Sequence, residues 1–118
     1  MADRAVGIDH TGLQGVEKTL DRQIRGGTEA LQLAIDLRVQ HVLRDELQRT
    51  IKEFNAIGAA GLIMDAHTSE VVGLVSLPDY DANFPGTANP DTLFNRVTLG
   101  VYEMGSVFKV LTAAMAID

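Results

Sequence analysis

The feature that most constrains this chain lies near its C-terminal end. Residues 107–117 read Val-Phe-Lys-Val-Leu-Thr-Ala-Ala-Met-Ala-Ile, and Lys109 is the only charge among them. A helix that is apolar all round has to be covered on every side. A lysine on such a helix needs a reason, because burying an unpaired ammonium is costly. The stretch therefore predicts a buried helix that holds one ammonium inside.

The residues leading into it supply a reason. Gly105 permits a sharp backbone entry into the helix. Ser106 follows in the first turn, and Lys109 stands three places on, on the same helical face. A serine hydroxyl becomes a useful nucleophile when a neighbour takes its proton. A lysine can do so once burial or another cation lowers its pKa. The helix N-terminus adds positive potential and N–H groups where an acyl oxyanion would form. Ser106 is thus the candidate nucleophile and substrate-binding residue, and Lys109 the candidate general base. The spacing alone also describes an exposed helix on which a serine and a lysine meet by chance.

Composition narrows the alternatives. At 118 residues the chain has room for one small domain, and its 46% apolar share is that of an ordinary globular protein. A net charge of −6 with ten scattered Lys and Arg argues against a nucleic-acid surface. The absence of cysteine excludes disulfides, thiol catalysis and Cys-ligated zinc. His10, His41 and His67 have no metal-site spacing, and no cofactor motif occurs. No apolar run reaches the ~20 residues needed to span a membrane, and the N-terminus does not open on an apolar signal core.

Along the chain, residues 1–30 are punctuated by glycines and predict a linker with a short helix near 16–24. Residues 31–35 alternate at first and predict a short strand. Asp36 is a suitable N-cap for a helix from Leu37 to about Asn55. Its apolar stripe is Val39, Leu43, Leu47, Ile51 and Phe54. Residues 59–64 and 71–75 are apolar runs flanking a polar turn at 65–70, which predicts a β-hairpin. Neither run alternates cleanly, so both faces are expected to be covered. Asp79, Asp81 and Asn83 mimic the start of a calcium loop. Phe84 and Pro90 stand where such a loop needs Gly and Glu, so no metal is assigned. The fold class is mixed α+β: a long helix, a hairpin and a buried serine-bearing helix.

Glu103-Met104-Gly105-Ser106-Val107-Phe108-Lys109 resembles the active-serine motif of the penicillin-binding proteins, the S-x-x-K acyl-serine transferases. Other segments are similar in the same order. Gly12-Leu13-Gln14-Gly15-Val16-Glu17 resembles the G-x-x-G-x-E ahead of the catalytic domain in class B members. Residues 34–36 resemble the T-I-D opening of that domain, with Ala34 for threonine. Residues 65–71 resemble D-x-x-T-G-E-V, with Ser69 for the turn glycine, a change that suggests a different turn. Residues 76–83 resemble S-x-P-x-Y/F-D-x-N, and Asn95-Arg96 the N-R before the serine helix. Met104 replaces a frequent proline, which suggests a less rigid approach to the serine.

The resemblance covers residues 12–118 and is to the class B, cell-division type. It implies the penicillin-binding-protein/β-lactamase-like fold. Residues 1–30 would be the end of a pedestal region, and 31–118 the N-terminal part of a transpeptidase domain. It implies that Ser106 attacks the D-Ala-D-Ala bond of a peptidoglycan stem peptide, that Lys109 is the general base, and that β-lactams acylate Ser106. No cofactor is implied. The parent would be anchored in the bacterial inner membrane, act in the periplasm and meet divisome proteins. The family's S-x-N and K-T-G motifs would lie beyond Asp118. The segment alone is then expected to be inactive, and either to self-associate or to be ordered only beside the rest of its domain. A related D,D-carboxypeptidase, β-lactamase or β-lactam sensor, and a non-catalytic interaction module, stay open.

Overall fold

A computed structural model describes residues 12, 15–27, 30–81, 84, 86 and 88–117. His10 and Asn83 lie outside them. The order of elements is α1 (Gly15–Thr19), α2 (Asp21–Gly26), α3 (Leu37–Phe54), β1 (Ala59–Met64), β2 (Val71–Leu77), α4 (Pro90–Leu93), a 3-10 turn (Gly105–Phe108) and α5 (Lys109–Ile117). Helices and an antiparallel hairpin give the expected mixed α+β class.

Helix α3 begins and ends where its residues dictate. The Asp36 side chain accepts from the Arg38 N–H at 2.8 Å, satisfying one of the helix's unpaired donors. Asn55 closes it in the left-handed conformation at φ 50°, which asparagine tolerates better than most residues. The Arg38 guanidinium, 2.7 Å from Asp36, and the Arg38 N–H hold the Asp36 carboxyl down at about 2. On the solvent side His41 sits 3.3 Å from Asp45, as a surface histidine would.

β1 and β2 pair antiparallel, Gly61 opposite Val75 and Ile63 opposite Gly73. Opposed residues share a face. Ala59, Gly61, Ile63, Gly73, Val75 and Leu77 therefore form one face, and α3 lies across it. Two glycines make the approach possible. A Cβ on Gly61 would stand 2.8 Å from Leu43 Cδ1 and 3.1 Å from Leu47 Cδ1, and one on Gly73 3.3 Å from Val39 Cγ1. The core beneath α3 is Val75, 5% exposed, and Leu77, 2% exposed. Burying side chains of this size stabilises by roughly 1.5–3 kcal/mol each.

Gln40 fastens the helix to the outer edge of β2. Its Nε2 donates to Leu74 O at 2.6 Å and its Oε1 accepts from Leu74 N at 2.8 Å, so one side-chain amide pairs with the strand as a neighbouring strand would. Asp36 N adds a bond to Val72 O at 2.9 Å. These contacts explain a correction. Residues 31–35 form no strand, because the start of α3 takes up the edge that such a strand would pair with.

Three further features bear on the expected burial within these residues. The hairpin is covered on one face only, and Leu62 and Met64 on the other are about half exposed. Phe54 leaves the stripe at 71% exposure. Helix α5, which follows the serine turn, is exposed within these residues, Met115 at 81% and Ile117 at 87%, as expected of a helix whose cover comes from the rest of the domain. It continues directly from the 3-10 turn and makes little contact with α3 or the hairpin. The expected helix near 16–24 is present as α1 and α2, broken at Leu20 and packed chiefly on each other.

The hairpin turn is built on Asp65, whose Oδ1 accepts from His67 N and Thr68 N, both at 2.8 Å. Those N–H groups pull its carboxyl below the usual range. Ser69 adopts φ 61°. The turn thus keeps the left-handed residue for which glycine is usual, instead of changing type. Asp79, the residue considered for calcium, gives both carboxylate oxygens to Arg44 at 3.0 and 3.2 Å. That contact raises the arginine's pKa. The Leu77–Pro78 peptide bond is cis.

Two outcomes follow. A depressed carboxyl stabilises the fold above its unfolded value of 3.8, and the gain is lost as pH falls toward about 2. Asp36→Asn, which caps without titrating, should be slightly less stable than wild type at pH 7 and lose less stability between those values, as followed by thermal melts in circular dichroism. Ser69→Gly should raise the unfolding free energy by up to ~1 kcal/mol in a thermal melt, the relieved left-handed strain being partly offset by glycine's entropy.

Candidate active site

The approach to Ser106 is a loop held by its own side chains. Asn95 Oδ1 accepts from Val97 N at 3.0 Å and Thr98 N at 3.3 Å, and Asn95 O accepts from Leu99 N at 2.9 Å. The Arg96 guanidinium donates to Asp91 O at 3.1 Å and lies 5.8 Å from the Phe94 ring centroid. A Cβ on Gly58 would stand 2.6 Å from Arg96 Nε and 2.7 Å from Leu77 O, so Arg96 also sits against the open end of the hairpin. Asn95 and Arg96 are structural here, as expected from sequence.

Gly105 takes φ 53°, a region open to glycine at little cost. The chain then enters a 3-10 turn instead of α-helix. Val107 N bonds Met104 O at 3.1 Å, and Lys109 N reaches both Ser106 O and Val107 O. The Ser106 N–H stands ahead of this bonded series, where helical N–H groups lack an internal partner. In 3-10 geometry, residues three apart eclipse one another. Lys109, at φ −62° and ψ −24°, continues that geometry, so Ser106 and Lys109 share one edge of the turn. Met104 has φ −71°, within proline's range, so the backbone keeps the shape that a proline would impose.

Both Ser106 and Lys109 are exposed. Among the described residues no hydrogen bond or ion pair joins their side chains. The turn thus sets the pair's spacing, and neither α3 nor the hairpin covers Lys109. His67 is exposed at the hairpin tip, remote in sequence from the turn. Among the described residues no group of three His, Cys, Asp or Glu is placed to hold a metal. Sequence reading passes over Gly100 and Tyr102. The Tyr102 ring folds back over Gly100, and its hydroxyl donates to Arg96 O at 3.2 Å. The only sequence signal for this is a glycine two places before an aromatic.

Against this geometry the comparisons with known proteins are informative. Residues 59–118, from the start of β1 through the serine turn and α5, match the penicillin-binding-protein transpeptidase domain. The chain is 48% identical over 111 residues to a probable peptidoglycan D,D-transpeptidase FtsI of Caulobacter vibrioides, covering 91% of this chain and 19% of that protein. It is 38% identical over 86 residues to a probable peptidoglycan D,D-transpeptidase PenA of Neisseria flavescens (73% of this chain, 22% of that protein). To the peptidoglycan D,D-transpeptidase FtsI of Escherichia coli K12 it is 24% identical over 136 aligned residues, covering 94% and 23%. The chain belongs to the penicillin-binding-protein transpeptidase family, in its class B, septal type. It spans about a fifth of the length of these relatives.

The backbone at the turn makes a paired prediction. Gly105→Ala should cost on the order of 1–2 kcal/mol, the penalty for a left-handed residue that carries a Cβ. Met104→Pro should be tolerated, because the φ is already suitable. Thermal melts of the two variants within their complete domain check both.

Proposed function

We propose that this chain is part of a septal peptidoglycan D,D-transpeptidase and carries its nucleophile. Residues 31–118 belong to the transpeptidase domain, and residues 1–30 to the segment ahead of it. Ser106 Oγ attacks the carbonyl carbon between the two terminal D-alanines of a stem peptide. The new bond joins Oγ to that carbon, and the C–N bond to the last D-alanine breaks. The hydroxyl proton passes to the Lys109 amine and on to the departing amine. An amine of a second stem peptide then takes the acyl group and frees Ser106. A β-lactam follows the first half of this course and stays on Ser106.

The observation that carries the reading is the Gly105–Phe108 turn, which brings Ser106 and Lys109 to one edge within the segment matching the transpeptidase family. α5, apolar apart from Lys109, is largely exposed and is the surface that the rest of the domain would cover. The 118 residues contain neither an S-x-N nor a K-T-G triplet. Alone they turn over nothing, since loss of even one oxyanion donor costs on the order of 10²–10³ in rate. The complete protein works in the periplasm, anchored in the inner membrane and accompanied by division proteins. Among the described residues no helix is long and apolar enough to cross a membrane.

A fluorescent penicillin tests the reading on the protein that carries this segment in a complete transpeptidase domain. Wild type should be labelled covalently, Ser106→Ala should not be labelled, and Lys109→Ala should be slowed by roughly 10²–10⁴. Equal labelling of Ser106→Ala and wild type would overturn the assignment.

A further inference from the structure

The 3-10 turn runs directly into α5, and among the described residues neither makes more than slight contact with α3 or the hairpin. Among the described residues, what ties Ser106 to the hairpin is the chain that leads to it. That chain is tied at two hydroxyls. Ser76, on β2, accepts from Arg96 N at 2.9 Å and donates to Phe94 O at 3.2 Å, so one side chain satisfies both ends of the 94–96 segment. Tyr102 OH donates to Arg96 O at 3.2 Å and closes the loop from 96 to 102. Gly100 is the condition for that closure. A Cβ there would overlap the Tyr102 ring and hydroxyl and stand 2.5 Å from Arg96 O. The main chain of Arg96 is thus held at its N–H by the sheet and at its carbonyl by a residue four places before Ser106.

We propose that Ser76 and Tyr102, acting through the Arg96 backbone, are positioning residues that set the direction in which Ser106 is presented for acylation. Neither touches the reacting atoms. The proposal rests on the reading of Ser106 as the acylated serine. Its physical content is a short lever. From Tyr102 to Ser106 only Glu103, Met104 and Gly105 intervene, with Met104 at φ −71° and Gly105 at φ 53° setting the turn between them. A change of angle at Tyr102 is passed to the hydroxyl with little to correct it, and small misplacements of a nucleophile are costly in rate.

The test uses the protein with its complete transpeptidase domain and measures β-lactam acylation in two parts, the affinity of the initial complex and the first-order acylation rate. Tyr102→Phe removes one hydrogen bond and keeps the ring. It should slow acylation about fivefold, the scale of one hydrogen bond, with initial affinity and melting temperature near wild type. Ser76→Ala should slow it further, and Ser76→Thr, which keeps the hydroxyl, should recover most of the loss. If Tyr102→Phe does not fold, the Ser76→Ala and Ser76→Thr pair reads the same connection from the other side. An unchanged acylation rate, or a loss that only follows the unfolded fraction, overturns the proposal. Failure of wild type to be labelled at all would instead sink the Ser106 reading, and this one with it.

Discussion

The structure depends on how closely α3 approaches the hairpin. Leu43 and Leu47 press onto Gly61, and Val39 onto Gly73, at distances that leave no room for unchanged side chains and a Cβ together. The hydrophobic gain of covering Val75 and Leu77 is non-directional and would permit sliding. The Gln40 amide removes that freedom, because its two bonds to Leu74 fit one register only. A buried apolar contact thus supplies stability, and a polar one beside it supplies position. With β2 fixed in this way, Ser76 is fixed, and the loop that leads to Ser106 is tied to a firm reference.

Much of this was legible in the residues. The stripe Val39, Leu43, Leu47, Ile51, the Asp36 cap and the Asn55 stop defined α3 to within a residue. Two apolar runs about a polar turn defined the hairpin. The errors have specific causes. Residues 31–35 had a strand's pattern, but local alternation cannot reveal that Gln40 would occupy the strand edge from 34 residues away. The glycines at 61 and 73 gave no sign of which face α3 would choose. Ser69 suggested a changed turn because propensity tables penalise serine at positive φ, while the Asp65 carboxylate, bonded to two N–H groups, holds the turn regardless. At the candidate site, the spacing of Ser106 and Lys109 was readable and the 3-10 geometry that eclipses them was not.

The apolar character of α5 carries the most weight in the functional account. Sequence demands cover for this helix, and within these residues it has little. The conflict concerns Lys109 directly, since it is the one charge on this otherwise apolar helix and it is exposed among these residues. The chain spans about a fifth of the length of its transpeptidase relatives. In the proposed function, cover over α5 completes the core and encloses the Ser106–Lys109 edge of the turn.

The most direct measurement locates the acyl group. The protein carrying this segment in a complete domain would be treated with a thioester of a stem peptide ending in D-alanine, quenched in acid and digested with trypsin. Cleavage after Arg96 and Lys109 releases residues 97–109, which contain Ser106. The account predicts that tandem mass spectrometry finds the stem acyl group on Ser106. An acyl group on any other residue, or an acylated protein in which this peptide is unmodified, would contradict it.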